Sequence, residues 1–408
     1  MGFPQVFRMV VLLCAIVAQA ALCADEPADA TPAEPRADVT EPTLEPGNTE
    51  PDKKLDPSPV PEVITVPIPN AKAPVAEPVQ PLKLAHIALL LPLKSATFGR
   101  AADAVKEGFM AASQLAGAAN TLPIEVYDSE ENTQNLLPIY SRILSDNARI
   151  IVGPMTRSEV AVVARSGLVI VPTLALNLPD HDTPVPPQFY SLNLSQEAEA
   201  RQVAQIAFGK GLRRAATIVN DSVLSKRIQA AFASEWLKLG GTTTLEYTFN
   251  PGSKSLSEFR NAAKAQLVDV AFVAADANIA RKMRPYVRSN LAMFATSQVF
   301  RSKNDSANNM ELRGLRFVDM PWLIKPDHPA VMIYPQSKKS LNAELQRFYA
   351  LGIDAFRVAQ LLLHGATPPT EPIDGVTGRI TLIGNHLFSR ELLQASFDQT
   401  GAVKELAP

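Results

Sequence analysis

Three acidic residues at the end of a candidate strand, Asp128, Glu130 and Glu131, are the closest this sequence comes to a general acid–base pair. Exposed acids are the ordinary case, and helix capping or solvated loop charge accounts for all three. The five histidines (His86, His181, His328, His364 and His386) are scattered, without H-x-x-x-H or C-x-x-C company that would hold a metal. His86 falls inside an apolar run and reads as a hydrogen-bonded core residue, while His181 and His328 lie among Asp and Pro as loop residues do. There is no G-x-G-x-x-G dinucleotide loop, no G-x-x-x-x-G-K phosphate loop and no G-x-S-x-G nucleophile elbow. The expectation is therefore a protein that is not an enzyme and needs no cofactor or metal.

Two other groupings carry binding chemistry. Arg281, Arg284 and Arg288 recur at helical spacing, with Met283 and Val287 turned the other way. That face is either simply solvated or a docking patch for an acidic partner. The second grouping follows from fold class. In open α/β sheets ligands bind beyond the carboxyl ends of the strands, which selects Ser95, Phe98, Thr156, Ser158, Asn177, Asn220 and Asp276 as candidate cleft residues.

The elements that would position these residues come in two series. Leu84 to Leu93 is almost continuously apolar, as in a strand buried on both faces. Strand and helix patterns then alternate: a helix carrying Val105, Phe109, Ala112 and Leu115, a strand over 124–127, a helix over 132–144, a strand over 150–153, a helix over 158–165 and a strand over 168–171. A second series runs through helices over 196–208, 223–239, 256–265 and 278–287, with strands over 215–219, 245–249, 270–274 and 293–295. Such alternation implies parallel sheets flanked by helices. The last quarter predicts two helices within 342–364, interrupted at Leu351-Gly352, a strand over 377–382 and a short helix over 389–397. These pieces are too few for a core of their own and are expected to complete the two lobes. Residues 82–408 thus predict a two-lobed α/β module, lobe 1 about 84–193 plus 323–368 and lobe 2 about 194–322 plus 369–408. Trp322, one of only two tryptophans, is expected to pack at the crossover between lobes.

Ahead of the module, Arg8 and the apolar run Met9 to Ala18, followed by small residues up to Ala24, read as a signal peptide over 1–24. The run is shorter than the roughly 20 residues of a membrane span. Cys14 and Cys23 are the only cysteines, so no disulfide framework supports the fold. Cys23 makes a poor lipidation site, because Leu22 and Ala20 reverse the preferred order of small and aliphatic residues. Residues 25–81 hold 14 of the 34 prolines and no aromatic residue, the composition of a Pro-rich disordered linker. A net charge of −2 is not the basic footprint of a nucleic-acid binder. The expected location is the periplasm.

Several motifs together resemble known families. Ile87-Ala-Leu-Leu-Leu-Pro-Leu93, Phe98-Gly99, Glu107-Gly-Phe109 and Val152-Gly-Pro-Met155 resemble the opening of type I periplasmic binding proteins. Leu174-Ala-Leu-Asn177, Phe189-Tyr190, Glu199-Ala-Arg201, Ala295-Thr-Ser297, Gly314-Leu-Arg-Phe-Val-Asp-Met-Pro-Trp-Leu323, Gly352-Ile-Asp-Ala-Phe356 and Gly375-Val-Thr-Gly378 are similar to the LppC/LpoA family over about residues 84 to 403. The resemblance implies a non-catalytic activator whose partner is a class A penicillin-binding protein, a peptidoglycan synthase. The large family members carry a helical-repeat domain and a lipid-modified cysteine, where this chain has a Pro-rich stretch. The alternative is a solute-binding protein for amino acids or peptides, feeding an ABC transporter or a sensor. Amino-acid-binding relatives keep small hydroxyl residues and an Ala-Thr pair in the cleft, where Met155, Arg157 and Leu176 stand here.

Overall fold

The two faces of the first strand explain its composition. Ile87, Leu89 and Leu91 of β1 (His86–Leu91) point into the main core cluster, whereas Ala88 and Leu90 point into a second cluster on the opposite face. A strand covered on both sides has no position for a solvated residue, so the run is apolar from Ile87 on, and His86 at its start is buried with its ring nitrogens 3.1 Å from the Leu84 carbonyl and the Tyr127 hydroxyl. Each fully buried Leu or Ile in it contributes about 1.5–3 kcal/mol. A computed structural model describes residues 83–407, apart from 131–132, 180–181, 251, 303–304, 366–370 and 385. The signal peptide over 1–24, the linker over 25–81, Glu131 and His181 lie outside the described residues.

The first series continues as α1 (Gly99–Ala116), β2 (Ile124–Asp128), α2 (Thr133–Ser145), β3 (Ala148–Val152), α3 (Arg157–Arg165), β4 (Thr173–Ala175) and β5 (Phe189–Leu192). The second comprises α4 (Gln196–Gly209), β6 (Arg214–Val219), α5 (Val223–Lys238), β7 (Thr242–Thr248), α6 (Ser253–Ala265), β8 (Val270–Ala274), α7 (Ala277–Met283), β9 (Ala292–Ala295), α8 (Ser306–Met310) and β10 (Arg316–Asp319). Short helices α9 (Pro321–Ile324) and α10 (Pro329–Met332) lead to α11 (Ala343–His364). The chain ends in β11 (Ile373–Gly375), β12 (Gly378–Ile383), β13 (Leu387–Glu391), β14 (Leu393–Phe397) and β15 (Val403–Glu405).

Two sheets result, ordered β11-β12-β13-β5-β4-β3-β1-β2 and β15-β14-β10-β9-β8-β6-β7. All pairings within each α/β series are parallel, and antiparallel ladders enter only with the C-terminal strands. This is the two-lobed α/β fold expected from the alternation. Assigning everything after residue 369 to lobe 2 is corrected, because β11 to β13 extend the first sheet, with β13 parallel to β5, and only β14 and β15 join the second. The chain crosses at Leu392, whose amide and carbonyl are both held by the Gln202 side chain (3.1 and 2.9 Å).

Three local expectations also give way, each for a physical reason. The predicted strand over 168–171 is irregular. Pairing starts after Pro172, which lacks an N–H, and the Pro172 carbonyl accepts from Ile151 N–H at 3.0 Å. The predicted helix over 389–397 is two strands, and Leu393, Ala395 and Phe397 alternate with period two, turning the most buried of them to one face. The predicted break at Leu351-Gly352 is absent, and α11 runs unbroken. Gly352 is there for contact: a Cβ on it would overlap the Val105 carbonyl oxygen of α1, and one on Gly108 would overlap the Tyr349 carbonyl oxygen of α11. The two helices meet backbone to backbone.

Candidate functional site

The residues chosen from strand ends are mostly engaged in shaping their own loops. Ser95 Oγ accepts from Thr97 N–H and Phe98 N–H (3.1 and 2.8 Å), closing the turn ahead of α1. Thr156 caps α3 in a capping box, with Glu159 N–H reaching its Oγ1 and Thr156 N–H reaching the Glu159 carboxylate. Ser158 Oγ lies 3.2 Å from Thr156 Oγ1, and Asn177 Nδ2 donates to the Met155 carbonyl at 3.1 Å. Asn220 Oδ1 accepts from Ser222 N–H, and Asp276 caps α7 through Asn278 N–H and Ile279 N–H. Met155 and Leu176 are buried. Asp128 likewise accepts from Leu93 N–H and Glu130 N–H, which is turn chemistry rather than an acid–base pair.

A cavity of about 570 Å³ lies at the junction of the lobes, and of the seven predicted cleft residues Asp276 alone lines it. It adjoins a second cavity of about 650 Å³, with which it shares Phe300, Arg301, Asn342 and Ala343, and which is walled by Arg100 and Trp322. Trp322 is 3% exposed, stacks at a tilt on Tyr349 (5.4 Å) and donates its backbone N–H to the Val376 carbonyl. It packs where the chain passes between lobes, as expected.

The wall of the first cavity holds a charged network that sequence reasoning missed. Arg347 donates to both carboxylate oxygens of Asp319 (2.6 and 3.1 Å) and to the carbonyls of Ser297 and Phe300. Asp319 is 1% exposed. The Glu199 carboxylate accepts from Ser297 N–H at 2.9 Å. Arg347 and Glu199 both hold Ser297, and Arg347 holds Asp319, so α4, β10 and α11 meet there, while Arg390 of β13 donates to the carbonyls of Asn193 and Thr377. Burial, then the Asp319 charge, push the Glu199 carboxyl up to about 7, against the pull of Arg390 and Arg347. The available signal was Asp319 itself, one acid within Phe317-Val-Asp-Met-Pro-Trp322, though nothing in the sequence named Arg347 as its partner.

Because Glu199 binds its proton more tightly when folded, the folded state holds the extra proton between about pH 4.5 and 7. Stability should therefore fall across that window as pH rises, and level off above it. Glu199→Gln should flatten the profile by up to about 3 kcal/mol. Urea denaturation from pH 4.5 to 8 measures this, and parallel profiles for both proteins would refute it.

A further side-chain bridge joins lobe to lobe. Glu197 of α4 pairs with Arg157 of α3 at 3.4 Å and with Arg227 of α5. Asp354, fully buried, accepts from Val376 N–H, Thr377 N–H and Thr377 Oγ1, so the Gly352-to-Phe356 and Gly375-to-Gly378 motifs meet through one carboxylate. The predicted docking residues Arg281, Arg284 and Arg288 do come together, around a concavity of lobe 2 rather than along a flat face. Among the described residues there is no group of three or more His, Cys, Asp or Glu able to hold a metal.

Comparison with known proteins agrees with this architecture. The solved structure described as "a putative branched-chain amino acid ABC transporter" from Chromobacterium violaceum ATCC 12472 is 31% identical, with TM-score 0.67 over 77% of this chain and 100% of that one. The LpoA (YraM) C-domain from Haemophilus influenzae, a regulator of PBP1A, shares the fold (TM-score 0.65, 22% identity, 79% and 100% of the two chains). The penicillin-binding protein activator LpoA of Pantoea ananatis (strain LMG 20103) is 27% identical over 331 residues, covering 70% of this chain and 48% of that protein. The chain thus spans about half the length of that curated relative. A sequence profile of the family described as "LppC putative lipoprotein" matches residues 76–400, the two-lobed module almost entire, and the chain belongs to that family.

Proposed function

We propose that this protein docks on a class A penicillin-binding protein in the periplasm and raises its peptidoglycan-synthase activity without catalysing a reaction itself. The observation that carries the reading is the family match across the whole module, whose curated relatives are named penicillin-binding protein activators. Support also comes from the polar strand-end residues, which are engaged in local capping instead of converging on a substrate. Activation requires tighter binding to the active form of the synthase than to the inactive one. The periplasmic placement rests on the N-terminal export signal; among the described residues no helix is long and apolar enough to cross a membrane.

A solute-binding role is the second reading, favoured by the 31% identity to the Chromobacterium violaceum structure. One pair of experiments separates them. Purified protein should increase cross-linking by a reconstituted class A synthase from the same organism. Free amino acids and short peptides should leave its thermal midpoint unchanged, although a ligand at 100 times its dissociation constant would add about 2.7 kcal/mol. No binding and no stimulation with any such synthase would end the activator reading, and a clear shift with one amino acid would establish the other.

A further inference from the structure

Five guanidinium groups, those of Arg260, Arg281, Arg284, Arg288 and Arg313, converge on a cavity of about 640 Å³ in lobe 2, where the only carboxylate among the described lining residues is that of Glu311. Three elements build it: α6 contributes Arg260, α7 and the turn after it contribute the next three, and the segment before β10 contributes Arg313 and Glu311. None of its residues lines the junction cavities.

An ordinary solvated helix face would let these side chains splay into water. Here the central one, Arg284, is held in place. Arg284 donates through Nε to the Arg313 carbonyl (3.2 Å) and through Nη1 to the Val287 carbonyl (3.4 Å). The buried Nε–H of Arg288 has no acceptor in the structure, and a buried donor without a partner is costly. Glu311 is 62% exposed and reaches only Arg281, at 3.8 Å, so it offsets little of the positive charge. Burial, together with the neighbouring Arg313 charge, holds the Arg284 guanidinium below its usual range. In a chain whose net charge is −2, this local excess is a standing electrostatic cost that a bound anion would relieve.

The shape of the donors selects the anion. Guanidinium forks match the paired oxygens of carboxylate and phosphate, but a phosphate group brings nearly two charges and three acceptors to one point. Tyr286 and Val287 supply a partly apolar wall beside the cations, suited to the carbon skeleton of a phosphate ester.

We infer that this arginine-lined cavity binds a phosphomonoester or pyrophosphate group. Such binding is independent of synthase activation. Arg260 and Arg313 sit exposed on the rim, so Arg260→Ala/Arg313→Ala removes two cations without opening the core. Calorimetric titration of the full chain with inorganic pyrophosphate at low salt should show saturable binding, weakened at least about tenfold in the double variant. An unchanged thermal midpoint verifies that the variant is folded. Capture by phosphatidic-acid vesicles, but not phosphatidylcholine vesicles, with the same variant sensitivity would identify a lipid headgroup as the source. Pyrophosphate binding without vesicle capture would identify a free phosphate ligand, and either result supports the inference. Absence of saturable pyrophosphate binding, or equal binding by the double variant, overturns it. So does binding of a polyglutamate peptide alone, which would make the cavity a protein-docking surface.

Discussion

Gly352→Ala should destabilise the module by about 2–4 kcal/mol, although alanine in a helix interior ordinarily stabilises by about 0.5–1 kcal/mol relative to glycine. The sign is reversed because the new methyl would occupy the position of the Val105 carbonyl oxygen and crowd Phe109 N. Neither atom can swing aside, since both belong to the backbone of α1. Relief requires the helices to separate, which loosens the edge-to-face contact of Phe109 and Phe356 (5.3 Å) and the packing around Tyr349. Gly209 is the control. It closes α4 with no atom within contact distance of an added methyl, so Gly209→Ala should be neutral or mildly stabilising. Urea midpoints for the two variants test the contrast, and a Gly352→Ala protein as stable as the parent would rule out the close approach.

Arg347→Met should cost about 3–5 kcal/mol, because it leaves the Asp319 carboxylate buried without its counter-ion. The carbonyls of Ser297 and Phe300 lose a donor at the same time. Much of the loss is the penalty of an uncompensated buried charge rather than the net strength of the pair. Arg347→Met/Asp319→Asn should therefore recover a large part of it. A double-mutant cycle by urea denaturation reads the coupling. Additive losses would mean that the two side chains do not act together.

How much of this was legible in sequence depended on whether a signal was local. The parallel α/β alternation was clear, since β1 and β8 are covered on both faces and so are apolar from Ile87 to Leu91 and from Val270 to Ala274. Of the C-terminal strands, β12 was legible as the strand expected over 377–382, but β13 and β14 were not, because Leu393, Ala395 and Phe397 acquire a face only from β10, which lies about 75 residues earlier. Gly352 illustrates the same limit. Glycine within an apolar helical run fits a break as well as a close contact, and α1 decides between them. At the candidate site, Thr156, Asn177 and Asp276 were placed correctly at strand ends, but their side chains serve the loops they sit in. The Arg347–Asp319 pair spans 28 residues with no periodic pattern to announce it.

The placement of the last strands has a consequence for biosynthesis. With β13 beside β5 and β14 beside β10, each lobe ends in an unpaired strand edge until roughly the final 35 residues have been made. Each sheet takes its last partner from that segment, β13 for the first and β14 with β15 for the second. Such dependence on distant pairings slows folding and keeps strand edges open to aggregation in the meantime. Both lobes thus draw their last sheet partners from one short stretch of chain, so a truncation ahead of β13 should leave β5 and β10 open at once.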